Sequence, residues 1–212
     1  MTDALRLEDL RVSLRNETLF ALDLEVMPGH VTSIMGPSGT GKSTLLAAII
    51  GTLRPPFEMS GRVCLGQTDL TPLPPEARGI GILYQDDLLF PHLSVAENLA
   101  FGLSPRLRGR AARRAAVDAA LARIDMAGFG DRDPATLSGG QKLRVSLMRA
   151  LLSEPRALLL DEPFSSLDVA LRQLMRALVF DQARDRGLPV LMVTHDPEDA
   201  EAAGGPVVTL GG

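Results

Sequence analysis

Residues 36–43, Gly-Pro-Ser-Gly-Thr-Gly-Lys-Ser, constrain what this chain can fold into more than any other segment. Three glycines among the first six of these positions make a turn that can wrap closely round a ligand, since no Cβ blocks the approach of the backbone N–H groups. The strand-like run VTSIM leads into the turn. The run KSTLLAAII leads out of it, lacks Gly and Pro, favours helix, and ends at Gly51, where a left-handed cap costs little. A strand passing through such a loop into a helix aims several amides and the positive end of the helix at one point, which is the chemistry that holds phosphate. Gly36, Pro37, Ser38, Gly39, Thr40, Gly41, Lys42, Ser43 and Thr44 are therefore the candidate cradle, with Lys42 reaching the β- and γ-phosphates and the Ser43 hydroxyl ligating Mg²⁺. The choice of lysine is itself informative, because Lys42 and Lys142 are the only lysines among 22 basic residues.

The rest of the chain bounds what surrounds that loop. With 212 residues, 45% of them hydrophobic, it can bury one ordinary domain, with or without a small inserted subdomain, and falls short of two independent ones. A formal net charge of −4 gives no overall electrostatic basis for binding nucleic acid, and no such partner is expected. Cys64 is the only cysteine, so no internal disulfide forms and its expected role is that of a small buried hydrophobe in a reducing compartment. Charges interrupt the apolar residues near the N-terminus, unlike a secretory leader. No run approaches the roughly 18 uncharged apolar residues of a membrane-crossing helix, so a membrane function is expected to act through a partner.

Strand patterns at residues 5–14 and 20–26 precede a turn at Pro28-Gly29, and the run RVCL and a buried run closed by Gln85 add two more strands. Ser94 and Glu97 form a capping box that starts a helix. Six arginines lie among alanines between residues 106 and 124, a composition read as a solvated helix on a small helical subdomain. Another helix covers 141–153 and stops before Pro155; the apolar run after it ends at Asp161-Glu162-Pro163, as a central parallel strand does. Asp168 caps a helix over 169–186, a buried strand over 189–193 ends at Thr194-His195, Asp196-Pro197 opens a short helix, and residues 206–210 give a last strand. Strands alternating with helices predict an α/β fold, with a parallel or mixed sheet core, antiparallel strands at the N-terminus and an inserted helical subdomain. The expected division is a single domain over 1–212, its core made of residues 1–85 and 155–212 and its helical part of about 86–154.

Open α/β sheets bind ligands outside the carboxyl ends of their strands, which makes Asp161 a second candidate Mg²⁺ contact. Glu162, one residue on, is placed to polarise a water attacking the γ-phosphate. These features describe a P-loop NTPase and no more. Leu137-Ser138-Gly139-Gly140-Gln141 goes further: a capping serine followed by two glycines exposes amides at a second helix start, about twenty residues before Asp161. One chain cannot readily turn both anion sites on one phosphate.

That string and its spacing resemble the ABC transporter ATPase family, whose LSGGQ signature binds the γ-phosphate of ATP held by the opposite subunit. The match carries no substitution, and the resemblance is collinear over nearly the whole chain. It implies ATP and Mg²⁺ as cofactors and a head-to-tail dimer in which Ser138, Gly139, Gly140 and Gln141 meet the partner's nucleotide. It implies that Gln85 is the Q-loop glutamine, contacting metal and water, that Ser166-Leu167-Asp168 is the D-loop, with Asp168 near nucleotide, and that His195 is the switch histidine on the γ-phosphate. Glu162, His195 and Gln85 are then the catalytic set. Further implied partners are transmembrane permease subunits on other polypeptides, docking a short helix near Gln85 and residues 88–99, and an extracytoplasmic solute-binding protein; the implied location is the cytoplasmic face of the cell membrane. One position departs from the pattern. The residue matching the family's adenine-stacking aromatic is Leu14, which can cover the ring but forgoes stacking of about 1 kcal/mol. Only seventeen residues follow His195, so the C-terminal β domain of many sugar and polyamine importer subunits is not expected, and the overall pattern is most similar to the thiamine, polyamine and iron importer branch. Two rivals stay open. A non-transport ABC ATPase of DNA repair, chromosome organisation or translation would usually carry coiled coils, zinc modules or tandem cassettes, whereas an ATP-dependent regulator of a membrane complex would share every motif seen.

Overall fold

β1 (Leu5–Leu14) and β2 (Glu17–Val26) alternate covered and solvent-facing side chains, as a sheet with one buried face requires. In the computed structural model, which describes residues 3–210 apart from 16, 38, 87 and 166, they form a hairpin. β4 (Phe57–Leu65) and the short β5 (Thr68–Asp69) complete an antiparallel sheet in the order β2-β1-β4-β5. β2 and β4 both begin earlier than their apolar patterns do. Pairing with β1 recruits backbone whose side chains are exposed, as at Glu17, Thr18 and Glu58.

The second sheet is wholly parallel. β3 (Val31–Met35), β6 (Ile80–Leu83), β7 (Ala157–Asp161), β8 (Val190–Thr194) and β9 (Val207–Thr209) lie in the order β6-β7-β8-β3-β9. The central strands β7 and β8 are covered on both faces and so read as nearly continuous apolar runs rather than alternating ones. Period two still sorts their side chains: Leu158, Leu160, Val190 and Met192 enter one core, while Ala157, Leu159, Leu191 and Val193 enter the other. The second of these cores is shared with the antiparallel sheet and α1 (Lys42–Ile50).

The first core is covered by helices. α2 (Val95–Gly102), α3 (Arg110–Arg123), α4 (Gly139–Leu152) and α5 (Val169–Arg186) contribute to it, and α6 (Pro197–Ala203) packs beside β3, β8 and α5. The Ser94–Glu97 capping box forms with both halves in place: the Glu97 amide donates to Ser94 Oγ at 3.2 Å and the Ser94 amide to Glu97 Oε2 at 2.8 Å. The arginine-rich helix begins at Arg110 rather than near 106, since Pro105 and Gly109 interrupt the segment before it. α4 begins at Gly139, two residues before the expected start, because Ser138 is its cap.

Candidate functional site

β3 delivers the chain to Gly36 beside β9, and the space there admits no side chain: a Cβ on Gly36 would sit 2.8 Å from the Leu210 carbonyl oxygen and 2.9 Å from Thr40 Oγ1. Gly41 takes φ +91 as the N-terminal cap of α1, and a Cβ there would lie 3.0 Å from the Phe20 ring. The loop is closed by the Thr40 hydroxyl, which donates to the Pro37 carbonyl at 2.9 Å. Lys42, only 6% exposed, donates from Nζ to the Gly36 carbonyl at 2.7 Å and the Pro37 carbonyl at 3.0 Å. Ser43 and Thr44 follow in the first turn of α1. Ser38 lies outside the described residues.

Three more loops reach this edge from the carboxyl ends of parallel strands, the place where open α/β sheets bind ligands. Asp161 ends β7 half-buried, and burial raises its carboxyl above the ordinary range; a hydrogen bond from Ser43 and the charge of Lys42 oppose that shift, and Glu162 adds to it. Glu162 stands in the left-handed region at φ +44, a conformation costing a residue with a side chain about 1–2 kcal/mol, and its amide donates to the Val193 carbonyl at 3.0 Å. The carboxylate is thereby held between two cationic or donor groups: Oε1 is 3.8 Å from Lys42 Nζ and Oε2 is 2.9 Å from His195 Nδ1. His195 directly follows β8, whose Thr194 pairs with Met35 of β3. Gln85 is exposed two residues beyond Leu83, which pairs with Leu160 next to Asp161.

The oxygens of Ser43 and Asp161 suit a hard cation. Mg²⁺ takes one or two protein ligands and keeps waters and substrate phosphate oxygens, so this pair could hold it, and among the described residues no group of three or more His, Cys, Asp and Glu forms an all-protein metal cage.

The Ser138 segment forms a separate helix start. Ser138 Oγ accepts from the Gln141 amide at 3.3 Å while Gln141 Oε1 accepts from the Ser138 amide at 3.0 Å, a second capping box of which only the serine half is expected from the sequence. Gly139 is exposed with nothing near its missing side chain, but Gly140 is buried: a Cβ there would lie 2.0 Å from Leu171 Cδ2. Among the described residues, no hydrogen bond or ion pair joins this segment to the 36–44 loop. Asp168 is exposed, and its Oδ1 accepts from the Leu171 amide at 2.9 Å, capping α5; Ser166 lies outside the described residues. Leu14 is half-buried where β1 pairs with Glu17 and Phe57, and Phe20 is packed against Gly41 rather than free to meet a base.

Two side chains at this edge carried no sequence signal. Tyr84 lies beside Asp161, and burial together with that charge pushes its phenol up. Arg172 pairs with Asp196 at 2.6 Å across α5 and the His195 turn. Neither belongs to a recognisable string, and the Arg172 partner is distant in the chain.

A parallel sheet whose strand ends gather a phosphate-type loop, a lysine and paired carboxylates defines a nucleotide-hydrolysing α/β protein. A family model described as ABC transporter matches residues 19–165. "Uncharacterized ABC transporter ATP-binding protein YnjD" of Escherichia coli K12 is 49% identical over 194 residues, which cover 90% of this chain and 89% of that one. "Thiamine import ATP-binding protein ThiQ" of Cereibacter sphaeroides is 48% identical over 92% of this chain and 83% of its own, and "Sulfate/thiosulfate import ATP-binding protein CysA" of Gloeobacter violaceus is 44% identical over 88% of this chain and 54% of its own. The chain belongs to the ABC transporter ATP-binding family: it binds ATP and is an ATPase subunit that energises an ABC transporter.

Proposed function

We propose that this ATPase drives a solute importer, acting as a head-to-tail dimer in which each ATP, with Mg²⁺, is held by the 36–44 loop of one copy and residues 138–141 of the other. The observation that carries the reading is the convergence of Lys42, Asp161, Glu162 and His195 at one sheet edge, with Ser138 capping a separate helix start. In this reading the γ-phosphate takes the Lys42 ammonium from Glu162, leaving the carboxylate free to accept a proton from the attacking water while His195 and Gln85 orient phosphate and water. Ser43 and Asp161 hold Mg²⁺, which neutralises phosphate charge when bound. Leu14 covers the adenine without stacking. Relatives named for thiamine import and for sulfate/thiosulfate import support the importer assignment.

Residues 86–154 act as a helical unit that moves against a core formed by 1–85 and 155–212. Among the described residues, no helix is long and apolar enough to cross a membrane, so the membrane step falls to permease subunits and the chain works from the cytoplasmic face beneath them, with a solute-binding protein completing the complex. A groove of about 450 Å³ lined by Tyr84, Leu88, Phe90, Phe101 and Arg149 offers the permease a seat next to Gln85, and its rim residue Phe101 is 69% exposed. Glu162→Gln tests the core of the proposal. It should keep ATP affinity within about twofold and lose at least about 100-fold in turnover, the usual contribution of a general base. Hydrolysis at the parental rate would remove Glu162 from the mechanism and with it the site assignment.

A further inference from the structure

We propose that Arg172 is a positioning residue for this ATPase: it clamps the turn at Leu167 and Asp168 to the turn that carries His195, so that the two move as one. The proposal rests on the functional reading above only in taking Glu162 and His195 as the reacting pair. Arg172 lies in the first turns of α5, and its guanidinium is forked between two loops. Nη1 donates to Asp196 Oδ2 at 2.6 Å and Nη2 to the Leu167 carbonyl at 3.3 Å, with both side chains of the ion pair about three-quarters buried, at 23% and 25% exposure. A rigid planar fork suits this double task as a lysine ammonium does not.

The other end of the clamp is built to receive force. Asp196 Oδ1 caps α6 by accepting from the Glu198 amide at 2.9 Å, and the Asp196 amide donates to Thr194 Oγ1 at 3.0 Å. Thr194 Oγ1 in turn donates to Asp199 Oδ2 at 3.2 Å, and Asp199 is held by Arg176 Nε, one helical turn after Arg172, at 2.7 Å. His195 is therefore the one exposed residue of a turn fixed on both sides, and its Nδ1 meets Glu162. Beyond Glu162, Ser165 donates from its side chain to the Glu162 carbonyl at 3.0 Å, and the Leu167 amide donates to the Phe164 carbonyl at 3.2 Å. Glu162, Ser165, Phe164, Leu167, Arg172, Asp196 and His195 are thus linked in a closed ring. A displacement of the exposed turn at Asp168 is passed through Arg172 to the imidazole.

The test is a double-mutant cycle on the full-length chain, measuring kcat and KM for ATP well below the melting temperature. Asp196→Asn removes the charge but keeps a capping oxygen, since Asn caps helices as well as Asp. Arg172→Gln and Asp196→Asn should each lower kcat about 10- to 100-fold with KM within about twofold, and the double variant should be no worse than either alone. Arg172→Lys, which keeps the charge but cannot reach both loops, should remain impaired. The clamp is refuted by variants that melt earlier yet turn over at the parental rate, by kcat losses that multiply in the double variant, or by full activity in Arg172→Lys. An inactive Glu162→Gln beside a fully active Arg172→Gln would sink the clamp alone, whereas an active Glu162→Gln would sink the functional reading.

Discussion

Asp161 is placed where it weakens the fold. Burial holds its carboxyl above the ordinary range, so the native state binds that proton more tightly than the unfolded chain does. As pH rises from the ordinary carboxylate range through the raised value, the unfolded state gains relative to the native one, and the full penalty is present above the raised value. Asp161→Asn keeps the shape and removes the ionisation. Its melting temperature should exceed the parent's at neutral pH, and the gain should shrink as the buffer is acidified below the raised pKa; ATP turnover should be lost throughout. Melting curves of both proteins across pH settle this, and an Asn variant less stable than the parent at neutral pH would contradict it. Glu162, in a left-handed conformation beside it, adds to the same pattern, in which stability yields to function at the site.

Elements differ in how plainly their residues announce them. The central strands were legible because burial on both faces writes an unbroken apolar run, and the two-sided Ser94 cap because it depends on residues three apart. The sequence also placed Asp161 and Glu162 at the end of one buried strand and His195 at the end of another, where the fold has them, while the role given to His195 came from the family resemblance and not from composition. What stayed hidden depends on partners distant in sequence: the early start of β2, set by backbone pairing to β1, the Arg172 clamp, and the second reason for Gly140. Sequence suggested that both glycines after Ser138 serve to expose amides. In the fold Gly139 is open, while Gly140 lies under Leu171 of α5. The two positions should respond oppositely to alanine. Gly139→Ala adds helix propensity worth up to about 1 kcal/mol with nothing to strike, whereas Gly140→Ala overpacks a contact and should cost about 1–3 kcal/mol. Denaturant titrations of the two variants measure the contrast, and Leu171→Ala should restore part of the Gly140→Ala loss.

At the scale of the whole molecule, the two anion sites decide between one copy and two. The 36–44 loop and the Ser138 helix start share no hydrogen bond or ion pair among the described residues, and in the proposed dimer a triphosphate held by both draws on two chains. Two defective variants distinguish the cases. Lys42→Ala spoils the cradle and leaves residues 138–141 intact; Gly139→Asp puts a repelling carboxylate at the other site, on an exposed position with room for a side chain. Each protein alone should be inactive. Mixed in equal amounts, half of the dimers pair one of each, and every such dimer contains one cradle and one Ser138 segment that are both undamaged and face each other. Activity should then return toward about a quarter of the parental value, one working site of two in half of the dimers, if the isologous arrangement holds and a single site can turn over. The returned activity should also rise with total protein concentration, because it depends on association. Provided that a single intact site can turn over, a mixture that stays inactive at every ratio and concentration would place the whole reaction within one chain and leave the glycines after Ser138 to helix packing.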